Sequence, residues 1–383
     1  MSDRLDTHAI RVNSLKSYST PFNRYGSLHG SVLGVEAVLA DGTIVNLLNT
    51  NRKDNTGIDL KHLFIGSEGI LGILTKVTIK LAPKPVSVNA AWMRISGGEY
   101  ETVLRLLRLS RDKLGEILSA FELVDNASLK LTLPILKERT SSSSSLLSSL
   151  DDEDSAGKEK SNTFNVLMET HGSNEEHDMD KLMGFVNDAM EEGLIVEDGG
   201  IIAMDQKQLD SLWSVRESIT ESLAIRARES GGRVFKYDFS IPVGKLYDLV
   251  TDTRQRMMAL APELCADEKV LVVGYGHMGD GNLHLNVLVR SGDPADVRKV
   301  EQVIEPFVYE WTSMNGGSIS AEHGVGMLKS PYLHLNKSQE AIAMMAGMKA
   351  MMDPKCILNP YKVLPHEYIV NAYEGATNHL YSS

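Results

Sequence analysis

Tyr275-Gly276-His277-Met278-Gly279-Asp280-Gly281-Asn282-Leu283-His284-Leu285-Asn286 sets two imidazoles on either side of a glycine-rich turn. Val270 to Tyr275 before the turn and Leu283 to Val289 after it are apolar runs of strand length, so the stretch predicts an antiparallel hairpin closed by Met278 to Asn282. Successive strand side chains point to opposite faces. Leu283, Leu285, Val287 and Val289 then share one face, and His284 and Asn286 share the other. His277 leaves the end of the first strand, where its ring can converge on that of His284. Further along, Ser318-Ile319-Ser320-Ala321-Glu322-His323-Gly324-Val325-Gly326 offers a carboxylate and a third imidazole side by side. Two histidines and one glutamate suit zinc with an open coordination position, or manganese, iron or cobalt. Glu322 is the oxygen ligand in this reading. His323 adjoins it and cannot point at the same ion from an extended chain, which leaves His323 as a candidate general base.

The bulk numbers narrow the surroundings of such a site. A chain of 383 residues has room for two or three domains, and 42% apolar with 23% charged residues is ordinary for a globular protein. A net charge of -12 argues against a nucleic-acid partner, since phosphates need cations to neutralise them. Two cysteines, Cys265 and Cys356, are too few for a disulfide framework or a thiolate metal cluster. No apolar run reaches the length of a membrane span.

Outward from the hairpin, the chain divides by its punctuation. Residues 1–21 are expected to be irregular; Arg4, Arg11 and Lys16 among serines and threonines hint at a transit peptide, against which Asp3 and Asp6 count. Val32 to Leu39, the turn Asp41-Gly42 and Ile44-Val45 predict a hairpin. Gly66, Gly69 and Gly72 permit close backbone approach to something flat or charged. Pro83-Lys84-Pro85 then closes a first domain at 85. From 86 to 260 short strands alternate with helices without glycine-rich crossover turns, which predicts that 86–330 is an α+β domain on an antiparallel sheet. Within it, residues 140–161 are a serine run followed by acidic residues, expected to be a disordered surface insertion with no core residue. A helical segment over 331–383 completes the chain. The methionine pairs at 344–345 and 351–352 are expected to pack a helix. On the helix expected over 206–229, Arg216 interrupts an apolar stripe of Leu209, Leu212, Trp213, Thr220 and Leu223, so its guanidinium requires an anion, either a ligand or an internal partner such as Glu217 or a distant aspartate. On the following strand Lys236 and Asp238 face away from Phe235, Tyr237 and Phe239.

These segments, with Arg24 to Gly34, Arg52 to Gly57, Leu212 to Glu217 and Leu358 to Pro365, resemble the FAD-linked 2-hydroxy acid dehydrogenases of the vanillyl-alcohol-oxidase-like, PCMH-type flavoprotein group. The branch acting on D-2-hydroxyglutarate is nearest in look, with the D-lactate dehydrogenases and the glycolate oxidase flavin subunit as relatives. The resemblance covers nearly the whole chain outside residues 1–20 and the serine insertion. It implies that residues 22–85 are the C-terminal half of an FAD-binding domain, with Gly34, Gly66, Glu68, Gly69, Gly72 and Ile73 along the cofactor and Asn359 returning near the flavin. It implies that His277, His284 and Glu322 are the metal ligands, zinc first, with manganese or cobalt as alternatives. Arg216, Thr220 and Lys236 match positions that hold substrate carboxylates, and Asn286 and His323 match residues at the substrate hydroxyl. Ile70 departs from the family's Gly-Ser-Glu-Gly-Thr-Leu-Gly pattern. The glycine-rich half that would cradle the FAD pyrophosphate has no counterpart in the chain, so the expectation is a domain lacking its N-terminal half.

The implied activity is FAD- and metal-dependent oxidation of a D-2-hydroxy acid by hydride transfer to flavin. D-2-hydroxyglutarate, converted to 2-oxoglutarate, is preferred because a dicarboxylate uses both Arg216 and Lys236; D-lactate or glycolate leaves one idle. The resemblance also implies a mitochondrial location, an electron-transfer flavoprotein or similar acceptor as partner, and a homodimer. Two rival readings remain: a non-catalytic zinc- and hydroxy-acid-binding fragment without FAD, and a zinc hydrolase. The hydrolase has no evident oxyanion donors and leaves the glycines at 66–73 unexplained.

Overall fold

Asp41-Gly42 does make a hairpin: Gly42 takes φ 87°, the Asp41 carboxylate accepts from Thr43 N at 2.9 Å, and β1 (Val32–Val38) runs antiparallel to β2 (Ile44–Leu47). β3 (Ile73–Ile79) pairs antiparallel on the other edge, giving the order β2-β1-β3. The computed structural model describes residues 26–139, 147, 149, 150 and 164–380. The chain forms two compact units. The first joins Gly26–Pro83 to the segment that starts at Ser318, and the second is Lys84–Gly317. Residues 318–330, placed by the sequence reading with the sheet domain, thus cluster with β1–β3 instead. Residues 1–21 and most of the insertion at 140–161 lie outside the described residues.

The first unit has two small cores. Val32, Val35 and Ala37 of β1 bury against Phe64 and Ile65. Ile70 and Leu71 bury against Leu333, Ile342, Ala346, Leu364 and Ile369, so the side chain that replaces the family's threonine is a core residue. The helix Gln339–Met352 is capped by Ser338, whose hydroxyl accepts from Ala341 N. Met345 and Met352 pack on the second core, but Met344 is 68% and Met351 73% exposed. Adjacent helical residues lie about 100° apart, so only one of each methionine pair can face inward, which corrects the packing expectation for the other. Inside the same unit Lys349, 2% exposed, ion-pairs with Asp353, and the Asp353 carboxylate also takes Ile357 N and Leu358 N.

The second unit is built on a seven-stranded, wholly antiparallel sheet of order β7-β4-β6-β5-β9-β10-β8. Its strands are β4 (Ser87–Ile95), β5 (Leu118–Asp125), β6 (Phe164–Gly172), β7 (Ile195–Ile202), β8 (Arg233–Ser240), β9 (Val270–His277) and β10 (Asn282–Val289). The fold class is therefore α+β with an antiparallel sheet, as read from the sequence. One sheet face, with Trp92, Val124, Leu167, Val273, Tyr275 and Leu288, is covered by residues of the helices Asn126–Arg139, Gln206–Glu217 and Ile219–Glu229. The last two meet at Ser218, where a single helix was expected. Leu147 and Leu150 are buried in this core, so the serine-rich segment does supply core residues, contrary to expectation. Asp125 ties the layers together: its carboxylate accepts from Gly274 N, the Tyr247 hydroxyl, Arg254, and the Ser128 amide and hydroxyl. Among the described residues no helix is long and apolar enough to cross a membrane.

Candidate metal centre

The β9–β10 register sets the site. His284 is paired with Tyr275, Asn286 with Val273, and Asn282 with His277. Across β10, β8 adds Asp238 opposite His284 and Lys236 opposite Asn286. Directly opposed residues of an antiparallel pair point to the same face. Tyr275, His277, His284, Asn286, Asp238 and Lys236 therefore project from one side, while Leu283, Leu285 and Val287 are buried on the other. The turn is tight enough to require glycine: a Cβ on Gly276 would lie 2.2 Å from Asn282 O, and Gly281 takes φ 78°.

His277 Nε2 and His284 Nε2 stand 3.3 Å apart with their rings nearly perpendicular, at 87°. Two imidazole nitrogens on one tetrahedral zinc at about 2.0–2.1 Å each are about 3.3–3.4 Å apart. The pair thus already has the spacing of two ligands to a single ion. His277 Nδ1 lies 2.8 Å from Glu122 Oε1, so Nδ1–H donates to the carboxylate and Nε2 carries the lone pair toward His284. Burial pushes the Asp280 carboxyl up, His277 pulls it down and Glu122 adds to the rise.

Glu122 also answers the question posed by Arg216. Arg216 Nε donates to Glu122 Oε2 at 3.0 Å, and the two side chains are 8% and 2% exposed. The internal partner is neither Glu217, which is exposed, nor an aspartate. Arg216 Nη2 is buried without a hydrogen-bond partner among the described residues, and the guanidinium lies over the Tyr275 ring at 4.8 Å. An unsatisfied buried cationic N–H is a site prepared for an anion. Thr220 meets the Tyr275 hydroxyl at 2.8 Å, and burial pushes the Tyr275 phenol up. Asn286 is buried and Lys236 exposed. Glu122 was not singled out in the sequence; its signal was a carboxylate inside the apolar strand Leu118–Asp125.

Glu322 and His323 belong to the first unit. Their side chains approach to 3.9 Å, with Glu322 largely buried and His323 62% exposed. The loop is held by Glu68, whose carboxylate accepts from Val325 N at 2.7 Å and Gly326 N at 2.8 Å. Asn359 Nδ2 donates to Glu68 O at 2.5 Å. Three distant parts of the chain (Glu68, Asn359 and the 322–326 loop) are thereby brought together. Gly34 and Gly72 have packing reasons of their own: a Cβ would lie 2.3 Å from Asn49 N and 2.9 Å from the Phe64 ring, respectively. Gly66 and Gly69 both take φ 76°, and Ile73 is exposed. Glu68→Gln is expected to remove the charge from both amide contacts and cost about 1.5–3 kcal/mol locally. Faster hydrogen exchange at Val325 and Gly326 is the readout, and unchanged protection there contradicts the clamp.

Residues 92–363 match the family described as FAD linked oxidases, C-terminal domain. The chain is 47% identical over 348 residues to D-2-hydroxyglutarate dehydrogenase, mitochondrial, of Arabidopsis thaliana, covering 91% of this chain and 56% of that protein. It is 47% identical over 341 residues to a mitochondrial protein of Schizosaccharomyces pombe provisionally named a D-lactate dehydrogenase, covering 88% of this chain and 60% of that one. The chain therefore spans little more than half the length of these relatives. Among solved structures, p-cresol methylhydroxylase with substrate bound matches with a TM-score of 0.65 at 13% identity, covering 93% of this chain and 69% of that chain. The 4-ethylphenol oxidase of Gulosibacter chungangensis matches with a TM-score of 0.62 at 18% identity, covering 93% and 70%. At such identities the likeness is one of fold.

Proposed function

Since the chain belongs to the family of FAD-linked oxidases, matched through their C-terminal domain, we propose that it takes part in oxidising a D-2-hydroxy acid, D-2-hydroxyglutarate first, to the 2-oxo acid. The observation that carries this reading is the 3.3 Å approach of the His277 and His284 Nε2 atoms, on the sheet face that also bears the Glu122 carboxylate of buried Arg216. The metal ligands in this proposal are His277, His284 and Glu322. The donor set of two imidazoles and a carboxylate fits zinc, manganese or cobalt.

When bound, a divalent metal held by His277, His284 and Glu322 would supply Lewis-acid chemistry that lowers the pKa of the substrate hydroxyl, and FAD would supply the hydride acceptor. The chain's own groups do the remaining tasks. Arg216 Nη2 holds a carboxylate, assisted by Thr220; Lys236 holds the second carboxylate of a dicarboxylate; Asn286 orients the hydroxyl; His323 takes its proton. Gly34, Gly66, Glu68, Gly69, Gly72, Ile73 and Asn359 are proposed to flank the flavin. A mitochondrial location and an electron-transfer flavoprotein as acceptor belong to the same proposal, supported by the names of the relatives for the location only.

D-lactate is the second reading, favoured by the name of the Schizosaccharomyces pombe relative. The test is to purify the full chain, record flavin absorbance and zinc content, and assay both acids with a dye acceptor. Lys236→Met is expected to raise KM for D-2-hydroxyglutarate more than for D-lactate; equal effects favour the second reading. His323→Ala is expected to abolish turnover at unchanged zinc content. Loss of zinc in that variant contradicts its role as base. Absence of flavin with zinc retained points to a binding fragment.

A further inference from the structure

Glu122, a buried carboxylate of the second unit, touches both His277 and Arg216 of the proposed site. It sits on β5 opposite His277 of β9, so the two side chains leave the sheet on the same face. At 2% exposure it cannot be satisfied by bulk solvent, and its two oxygens are divided: Oε1 toward His277 Nδ1 at 2.8 Å, Oε2 toward Arg216 Nε at 3.0 Å. We propose that Glu122 is a positioning residue that couples metal affinity to acid binding. The first contact fixes the His277 ring and its tautomer, presenting Nε2 at 3.3 Å from His284 Nε2. The second holds the guanidinium through Nε–H and leaves Nη2, buried and without a hydrogen-bond partner among the described residues, available to a carboxylate. One carboxylate thus sets the place of a metal ligand and of an anion donor that lie 61 positions apart in sequence, at 277 and 216. Displacing either partner disturbs the hold on the other.

The inference rests on the reading of His277 and His284 as metal ligands, so the zinc dissociation constant of the unaltered full chain is measured first, by competition with a chromophoric chelator. No zinc binding there sinks the metal reading itself. Given zinc binding, Glu122→Gln, which keeps the volume and loses the charge, is expected to weaken zinc about 10–100-fold, with Glu122→Asp intermediate. Arg216→Lys, which alters no proposed ligand, is expected to weaken zinc several-fold by releasing Oε2. Zinc affinity within twofold of the unaltered chain in folded Glu122→Gln overturns the coupling. Should that variant not fold, unchanged zinc affinity in Arg216→Lys overturns it equally. A purely structural role for Glu122 would lower thermal stability and leave zinc affinity of the folded protein untouched.

Discussion

Arg216→Ala is expected to destabilise the second unit by about 3–5 kcal/mol, the cost of leaving one member of a buried ion pair without the other. The Glu122 carboxylate would remain at 2% exposure with its Oε2 facing a void. The stacking of the guanidinium on Tyr275 at 4.8 Å would go as well, and cation–π contacts of desolvated groups contribute up to about 2 kcal/mol on their own. Urea unfolding followed by tryptophan fluorescence reads this unit selectively, because all three tryptophans, Trp92, Trp213 and Trp311, lie between Lys84 and Gly317. A loss below about 1 kcal/mol would place the pair in the class of solvent-screened salt bridges and contradict its burial. The same variant is expected to lose binding of 2-hydroxy acids, since Nη2 goes with the side chain.

His284→Ala is expected to abolish stoichiometric zinc binding. Apparent zinc affinities of about 10–16 kcal/mol, shared among four donors, amount to about 2.5–4 kcal/mol per ligand, or a hundred- to a thousandfold in dissociation constant. His277→Ala should do the same and also unpair Glu122 from its imidazole. His171 is the control: its Nε2 lies 2.7 Å from Glu169 Oε1 on β6, outside the proposed ligand set, and His171→Ala should keep zinc. Equal zinc retention across all three variants would remove the metal centre. Treatment with a strong chelator should leave the far-UV circular dichroism of the second unit intact, because its sheet is held by its own apolar core rather than by the ion.

What the sequence disclosed and what it hid divide along chain separation. The hairpin of β9 and β10 is local, its alternation is strict, and both the facing of His284 with Asn286 and the convergence of the two imidazoles follow from strand geometry alone. The requirement of Arg216 for an anion was legible because a guanidinium in an apolar stripe is costly. The identity of that anion was not: Glu122 lies 94 residues from Arg216 and 155 from His277, and only the β5–β9 pairing, which no short-range pattern encodes, brings them together. The Glu68 clamp spans 257 residues to Val325 and was hidden for the same reason. Elsewhere the composition misled. Serine-rich flanks concealed the buried Leu147 and Leu150, and counting methionines by pairs ignored that neighbouring helical positions point apart. Ile70, in sequence only a departure from the family's pattern, is explained by its core neighbours Leu333 and Ile342.

X-ray absorption at the zinc edge, on the full chain loaded with one equivalent of zinc, tests the central claim most directly. The account predicts a first shell of two imidazole nitrogens with oxygen ligands at about 2.0–2.2 Å, reduced by one imidazole in His284→Ala and by one oxygen in Glu322→Ala. A shell without imidazole scattering, or one unchanged by both substitutions, would contradict it.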